Sequence, residues 1–401
     1  MRKLIFMERI GIIGNGVAGV TVIREIRKVN QTVNLDIFTD ESHPYYPRPK
    51  LIEYIAGTMD EKSIYQHDFK WYKDNNVELH TCESITKINS KGLTLETSDN
   101  SYGPYDRVLY ATGSHPWVPP IKGLEKKGMH VLRTIDDAID IKKAVYGTGR
   151  EIIVGGGILG IELAAAMKRI GGDPIVISNI DTLLPAQLDS AASTVLVNRL
   201  NEMGLEILLN FTCVEIAGDE YVSGVVSKGG DIINGDLVVA ATGIAPNTSL
   251  AQDCGIICGR GVQVNEYLET SMPGVFAAGD CIEWNGTFLG IIPVALDTAR
   301  VAAKNMLEPD SASYEGTVPS NTLQVAGIDL TSIGKFAPIS HEYESIVSIN
   351  DEEGTYFKVV VLNDVAVGGI ALGSRKFALK LRGLIRNKDP ISKIRNTIFD
   401  I

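Results

Sequence analysis

Two glycine-rich turns, each preceded by an apolar strand and followed by a helical pattern, and a strand-rich C-terminal segment predict the fold class of this chain. The prediction is an α/β fold with two Rossmann-like dinucleotide-binding domains and a small α+β C-terminal domain. A length of 401 residues is enough for two or three domains, and 44% hydrophobic with 22% charged residues is typical of a globular protein.

The first glycine turn lies in the segment RIGIIGNGVAGVTVIREI, which begins at residue 9. Gly14 permits a tight turn, Gly16 lets a phosphate approach the backbone, and Gly19 lets the helix and strand pack closely. The free N–H groups at the start of the helix, those of Val17 and Ala18, are predicted to bind a diphosphate.

An acidic pair follows this turn at the distance where an adenosine ribose is recognised. The second strand, LDIFTDE, ends in Asp40 and Glu41, about twenty residues beyond the glycines. A carboxylate here accepts hydrogen bonds from ribose hydroxyls, and Asp40 is the first choice. The alternative is an ordinary glycine turn followed by a solvated acidic loop.

A second copy of the pattern lies about 140 residues downstream, in REIIVGGGILGIELAAAMKRIGG. Two such units predict two dinucleotides bound by one chain, a stronger signal than either unit alone. The predicted contacts of the second dinucleotide in this turn are Gly155, Gly157, Ile158, Leu159 and Gly160.

Three further strand ends complete the pattern. YDRVLYATG ends in Ala111, Thr112 and Gly113, and DLVVAATG ends in Thr242 and Gly243, so each glycine-turn unit is followed by a strand that ends in ATG. The later segment TSMPGVFAAGDCIEW ends a strand at Gly279–Asp280. A carboxylate there can bind a sugar-alcohol hydroxyl, which fits the ribityl chain of a flavin.

The order GxGxxG, ATG, GxGxxG, TGxxPN, AAGD resembles the FAD/NAD(P)-dependent pyridine nucleotide–disulfide oxidoreductase superfamily over residues 8–310. The resemblance implies an FAD-binding domain built from residues 1–116 and 240–310, an NAD(P)-binding domain over 117–239, and a small C-terminal domain over 311–401. It also implies residue roles. The residues implied to hold FAD are Gly14, Gly16, Gly19, Asp40, Thr112, Gly113 and Asp280, and those along the nicotinamide nucleotide are Gly155, Gly157, Gly160 and Glu162.

The segment HPYYPRPKLIEYIAG, from residue 43, departs from the disulfide-reducing members of the superfamily, which carry a redox-active cysteine in this region. It is similar instead to the PYxRPxLSxYLAG segment of rubredoxin reductases, ferredoxin reductases and the flavin part of assimilatory nitrite reductases. In that resemblance Arg48 and Lys50 lie beside the isoalloxazine ring, where a cation stabilises the reduced flavin. The alternative is that both are surface charges at a helix start.

The five cysteines do not suggest dithiol chemistry. Cys281 follows Asp280 without a resolving partner, and the Cys254/Cys258 pair is too isolated for a zinc or iron–sulfur site. An odd, scattered set of cysteines suits a reducing compartment, so we expect a cytoplasmic location. Whether any of these three thiols has a redox role is left open by the sequence.

Without a disulfide relay, the flavin must pass hydride-derived electrons directly to an acceptor. A flavin can divide one hydride into two single-electron steps, so we predict an FAD-dependent NAD(P)H oxidoreductase whose acceptor is a small carrier such as rubredoxin or ferredoxin. One alternative is an NAD(P)H oxidase or diaphorase that reduces oxygen. Another is a flavin-binding protein with a degenerate nicotinamide site.

The second ribose site leaves the choice between NADH and NADPH open. The predicted acid position is Ser178, followed by Asn179, so neither a carboxylate for NADH nor an arginine for a 2′-phosphate is present. Glu162 matches a position near the nicotinamide, or it is a helix-surface carboxylate. A helix that begins near Pro293 is expected to direct the N–H groups of Val294 and Ala295 toward the flavin.

The C-terminal segment predicts the kind of partner. Strand-like alternation is followed by a basic amphipathic helix and tail, with eight Lys/Arg against two Asp over residues 375–401. This is either a solvated helix face or a docking patch for a small acidic redox protein. A net charge of −11, the absence of a long apolar run and the dispersed histidines predict no nucleic acid, no membrane and no metal. The chain is predicted to be a monomer or a homodimer.

Overall fold

The computed structural model describes residues 8–147, 149–317, 320–338 and 340–400. They form two compact units. The first contains the described residues up to Lys50, together with Asp60–His115 and Ile244–Thr317; the second contains Leu51–Met59, Pro116–Gly243 and the described residues from 320 onward. The predicted domain start at residue 1 lies outside the described residues, and the other predicted boundaries stay predictions.

The first unit is built on a five-stranded parallel sheet. Its strands are short and mostly buried, as expected for a parallel sheet covered on both faces. In spatial order they are β3 (Val77–His80), β2 (Asn34–Phe38), β1 (Arg9–Ile13), β7 (Arg107–Tyr110) and β19 (Val275–Ala277).

Smaller strands and helices surround this sheet. A three-stranded antiparallel sheet joins β4 (Lys87–Asn89), β5 (Thr94–Glu96) and β6 (Ser101–Tyr102), and β18 (Val262–Gln263) pairs with β20 (Ile282–Glu283). The helices are α1 (Val17–Val29), α3 (Glu61–Ile64), α4 (Phe69–Asp74), α8 (Ser249–Asp253) and α9 (Ile292–Leu307). The helix α2 (Lys50–Ile55) and the short strands β8 (Ser114–Pro116) and β17 (Ile244–Pro246) lie where the chain passes between the units.

The second unit repeats the sheet architecture. Its five parallel strands are β12 (Glu206–Leu208), β11 (Pro174–Ile177), β10 (Glu151–Val154), β16 (Leu237–Ala240) and β9 (Met129–Val131), in spatial order. The antiparallel strands β13 (Cys213–Ala217), β14 (Gly224–Ser227) and β15 (Ile232–Asn234) form a separate sheet. The helices are α5 (Ile135–Val145), α6 (Ile158–Arg169) and α7 (Ser190–Glu202).

The C-terminal segment belongs to the second unit and forms an antiparallel sheet with one packed helix. The strand order is β21 (Ser320–Val325), β22 (Ile328–Gly334), β25 (Val365–Leu372), β24 (Thr355–Leu362) and β23 (Glu344–Asn350). The helix α10 (Arg375–Asn387) follows, with 3₁₀ turns at Ile391–Lys393 and Arg395–Thr397. In α10 the residues Phe377, Leu381 and Leu384 are buried in the core of this sheet.

Buried polar contacts connect this C-terminal sheet with α7. Lys358 Nζ donates to Asp189 Oδ2 at 2.8 Å, and Tyr356 Oη donates to the same oxygen at 2.9 Å. Asp189 also caps α7 through its other oxygen. Because these groups lose water on burial, they are stable only while they stay paired. These contacts lie within the second compact unit and join its C-terminal sheet to α7.

Among the described residues, none of the helices has both the length and the apolar character required to cross a bilayer.

Candidate functional site

The first glycine turn has the shape that a diphosphate requires. A Cβ on Gly14, which has a φ of +112°, would lie 2.1 Å from the Ala111 carbonyl oxygen, and a Cβ on Gly19 would lie 2.2 Å from the Gly14 oxygen. At Gly16, in contrast, a Cβ would meet no atom within 4 Å. Gly16 is also the N-cap of α1 and has no side-chain cap. The turn thus leaves open space and free N–H groups at the start of α1, at Val17 and Ala18.

The second turn reproduces this arrangement. A Cβ on Gly155, with a φ of +132°, would lie 2.3 Å from the Ala241 oxygen, and one on Gly160 would lie 2.1 Å from the Gly155 oxygen. Gly157 faces open space and is the uncapped N-cap of α6, which begins at Ile158. Each turn therefore fits a dinucleotide diphosphate in the same way.

The ribose ends of the two turns differ in their side chains. The Thr39 N–H donates to the His80 carbonyl at 3.0 Å, and the Ser178 N–H donates to the Leu208 carbonyl at 2.9 Å. This register makes Ser178 the counterpart of Thr39, and Asn179 the counterpart of Asp40. Asp40 and Asn179 are both exposed, whereas Ser178 is buried.

The structure gives Glu41, rather than Asp40, an ordered environment. Arg48 Nη2 donates to Glu41 Oε1 at 2.5 Å, and Tyr46 Oη donates to the other carboxylate oxygen. The Arg48 guanidinium also lies 4.9 Å from the centre of the Tyr46 ring. Burial lowers the pKa of Arg48, but the electrostatic interactions with Tyr46 and Glu41 outweigh it and leave the pKa raised.

The two predicted ring-side cations therefore lie in different surroundings. Arg48 is held at the ribose-acid end of β2 through Glu41, while Lys50 Nζ donates to the Ser63 carbonyl at 2.9 Å. Neither contact places a cation against a flavin ring, and that role stays a prediction. The contact with Glu41 supports a role of Arg48 near the ribose and diphosphate.

The AAGD loop is fixed on α9 by one hydroxyl group. The Gly279 N–H donates to Thr298 Oγ1 at 3.1 Å, and this hydroxyl donates to the Val294 carbonyl at 2.6 Å. Ser114 Oγ donates to Asp280 Oδ2 at 3.2 Å. The helix α9 begins at Ile292 without a side-chain cap, and Ala295 is buried in its first turns. Thr298 therefore positions this loop, a role that the sequence did not predict.

Asn247 is a positioning residue to which sequence reasoning assigned no role. Its side-chain amide donates to the Thr112 carbonyl at 2.8 Å, and its own carbonyl accepts hydrogen bonds from Tyr110 Oη and Thr112 Oγ1. His115 Nδ1 lies 2.7 Å from Asn247 Oδ1. The signal was present in the TGxxPN motif, whose last residue is Asn247.

In the second unit Thr242 Oγ1 donates to the Trp117 carbonyl, and the Gly243 carbonyl accepts the Trp117 N–H.

Glu162 lies on α6 and contacts the C-terminal hairpin. Its Oε1 accepts the Ala326 N–H at 3.0 Å. Burial raises the pKa of Glu162, and this hydrogen bond offsets only part of the effect. A nicotinamide contact of Glu162 stays a prediction.

All five cysteines are free thiols. Cys281 is fully buried, its Sγ lies 3.4 Å from the Tyr110 carbonyl oxygen, and burial raises its pKa to about 12. Cys254 Sγ accepts the Ile88 N–H, and Cys258 Sγ donates to the Ile256 carbonyl. A thiol with so high a pKa is not a nucleophile at neutral pH, so Cys281 is a packing residue.

One group of possible metal ligands occurs in the described residues. Asp36, Glu78 and His80 each bring one ligand atom to within 4.8 Å of the others. Arg9 Nε already donates to Asp36 Oδ2 at 2.6 Å, which places a fixed positive charge where a cation would bind. We interpret the group as an ion-pair cluster of the first sheet.

Comparisons with known proteins agree with this geometry. Residues 8–305 match the family described as pyridine nucleotide-disulphide oxidoreductase, and residues 319–389 match the rubredoxin NAD+ reductase C-terminal domain. An NADH-rubredoxin oxidoreductase from Clostridium acetobutylicum is 30% identical over 96% of both chains. The crystal structure of the NADH:rubredoxin oxidoreductase from this organism superposes with a TM-score of 0.79, at 28% identity and 96% coverage of each chain.

A nitrite reductase [NAD(P)H] from Bacillus subtilis is 36% identical over 96% of this chain and 48% of the relative. The chain thus spans about half of the length of this relative and of an assimilatory nitrate reductase electron transfer subunit from the same organism. The predicted fold class and the predicted use of FAD and a nicotinamide nucleotide are confirmed. The chain belongs to the pyridine nucleotide–disulphide oxidoreductase family.

Proposed function

We propose that this chain oxidises NADH and passes the electrons to a small one-electron carrier protein of the rubredoxin or ferredoxin type. The observation that carries the proposal is the combination of two open diphosphate sites with five cysteines that are all free thiols, so that no disulfide is present. Electrons that enter such a protein cannot be relayed through a disulfide and must leave directly for an external acceptor. The relative from Clostridium acetobutylicum, which this chain matches end to end, is named for such an acceptor.

The residues of the first unit would hold FAD. The diphosphate would lie at Gly16 and the start of α1, the adenosine ribose would face Glu41 and Arg48, and Asp280 would bind the ribityl chain. When bound, FAD supplies hydride acceptance and one-electron release. The chain's own contribution is to orient this group, through the Thr298 and Asn247 contacts described above, and to exclude water.

The residues of the second unit favour NADH over NADPH. Ser178, Asn179 and the following Ile180 and Asp181 provide no cation for a 2′-phosphate. Asp181 would add a negative charge to the same loop. We infer that NADPH binds more weakly than NADH.

The acceptor is proposed to be acidic because residues 375–401 carry eight Lys/Arg against two Asp. This positive charge would attract an acidic protein. Nitrite reduction belongs to a relative about twice as long as this chain. For this chain we propose only the electron-donating part of such a system, with the partner supplied in trans.

An anaerobic titration followed by carrier reduction tests the proposal. NADH should bleach the flavin absorbance near 450 nm, NADPH should require a higher concentration, and two rubredoxins should be reduced for each NADH consumed. If NADH reduces the flavin but the electrons appear only as hydrogen peroxide, the chain is an oxidase. If neither donor reduces the flavin, the second nucleotide site does not serve catalysis.

A further inference from the structure

The outward face of α10 combines one exposed apolar side chain with a ring of cations. Leu379 is 61% exposed, although most leucines of this chain are buried or half-buried. Arg375 and Lys376 precede it by four and three residues, and Arg386 follows it by seven, so all three lie on the same side of the helix. We call Leu379 and these three residues the α10 surface.

The shape of this surface suits a protein contact. A Cβ added at Gly383, one turn after Leu379, would meet no atom within 4 Å. The helix surface beside the leucine is therefore open. The helix contains no acidic residue, and in the described chain no carboxylate pairs with Arg375 or Lys376. Arginine is enriched among the residues that dominate binding energy at interfaces, and here Arg375 and Arg386 flank an exposed apolar side chain.

The cations of the α10 surface are not required to hold the helix in place. The opposite face is buried through Phe377, Ala378 and Leu381, and Ser374 caps the N-terminus. Lys380, in contrast, has a structural role, because its Nζ donates to the carbonyls of Thr397 and Asp400. Lys380 therefore holds the tail, while the α10 surface is available for another molecule.

An acidic protein is a better occupant than a membrane or a nucleic acid. A helix that inserts into a bilayer presents several large apolar residues to it, whereas the α10 surface presents only Leu379. A net charge of −11 repels a polyanion as long as nucleic acid. A small acidic protein is attracted locally by the eight Lys/Arg of residues 375–401 without covering the acidic remainder of the chain.

We propose that the α10 surface captures the acidic redox carrier of this enzyme, with Leu379 entering an apolar spot on the carrier. The proposal rests on the proposed function. The surface acts on association, so its loss should raise the KM for the carrier and leave kcat unchanged.

The test uses the full FAD-loaded chain with rubredoxin from Clostridium acetobutylicum as the probe. The variants are R375E/K376E and, separately, L379A. Acids in the first turn of a helix are compatible with its dipole, and Leu379 is exposed, so both variants should fold. K91E/K228E is the control, because Lys91 and Lys228 are exposed in hairpin turns and the change in net charge is the same.

At low salt the KM for rubredoxin should rise about tenfold in R375E/K376E and severalfold in L379A, with ferricyanide reduction by NADH unchanged. The control should behave like the wild-type chain, and the difference should disappear near 0.5 M salt. Equal KM values in R375E/K376E and the control overturn the proposal, as does a loss of binding to phosphatidylglycerol vesicles with the rubredoxin KM unaltered. If the wild-type chain itself fails to reduce rubredoxin, the proposed function fails instead.

Discussion

The two glycine-turn units of this chain have the same backbone but different ribose ends. Four strands of each sheet follow the same order, while the fifth comes last in the chain in the first sheet (β19) and first in the second (β9). In both turns the outer glycines are fixed by contact with backbone atoms while the middle glycine faces open space. At the ribose end the first unit holds a partly buried Glu41–Arg48 pair, and the second offers Ser178 and Asn179. The contacts of the outer glycines with the backbone fix the shape of the diphosphate site in both units. The side chains at the strand end, in contrast, determine how tightly the ribose is bound. This difference suits a resident cofactor in the first unit and an exchanging substrate in the second.

Alanine at the first glycine of each turn should give the largest effect and separate the two roles. In G14A the new methyl group would overlap the Ala111 carbonyl, so the chain should be purified without FAD. In G155A the overlap is with the Ala241 carbonyl, so FAD should stay bound and reduction by NADH should be lost, while dithionite still bleaches the flavin. Absorbance spectra of both variants check this.

G16A and G157A are the matched controls for these substitutions, because their methyl groups meet no protein atom within 4 Å. They should keep the wild-type Tm and lose only affinity for FAD and NADH respectively. Loss of FAD from G155A as complete as from G14A would contradict the assignment of the two turns.

Thr298 should be important for FAD retention. T298V leaves the buried Gly279 N–H without its acceptor, at a cost of about 1–3 kcal/mol. The dissociation constant for FAD should therefore rise about tenfold or more, measured by flavin fluorescence during dialysis. T298S keeps the hydroxyl group and should behave like the wild-type chain; equal FAD loss from T298S and T298V would mean that packing, not the hydrogen bond, is responsible.

A carboxylate at Asn179, the counterpart of Asp40, should make the second ribose end more like that of an NADH-specific enzyme. N179D should raise the KM for NADPH about tenfold, because the carboxylate repels the 2′-phosphate, with little change for NADH. Steady-state ferricyanide reduction with each donor measures this ratio, and N179S, which removes the amide without adding a charge, is the control. Equal changes with both donors would show that residue 179 does not face the ribose.

The smallest effect concerns acid stability of the first sheet, where Asp36 occupies the position that Ile175 has in the second sheet. Burial alone would raise the pKa of Asp36, but the interactions with the neighbouring His80 and with Arg9 outweigh it and leave the pKa below its ordinary value. The stability from this pair is therefore present above about pH 4 and lost as the pH falls through the folded-state pKa.

D36N should reduce the free energy of unfolding by about 1 kcal/mol at pH 7, since Arg9 is partly exposed. The difference from the wild-type chain should shrink as the pH falls below about 4. Urea unfolding at several pH values measures it, and a constant difference across this range would exclude a contribution from ionisation.

Sequence reasoning captured what local patterns encode. The glycine turns, the strand ends at Thr112 and Asp280, and the helix that begins at Ile292 all follow from short motifs. It did not find the Asn247 contact with Thr112 or the Asp189 contact with Lys358, because these join residues more than 130 positions apart. It also left Asp40 and Glu41 nearly equal, since only the folded chain shows which carboxylate meets Arg48.

The buried Cys281 has a consequence for how this member of a family named for disulphides responds to its surroundings. A thiol that stays protonated and enclosed reacts slowly with alkylating agents, arsenite or peroxide. Cys82 is exposed and can be modified, but its side chain has no part in the proposed function. NADH-dependent reduction of ferricyanide should therefore persist after treatment with iodoacetamide. The enzyme should also need no added thiol reductant. Oxidative conditions that silence relatives with a catalytic disulfide would leave this chain active.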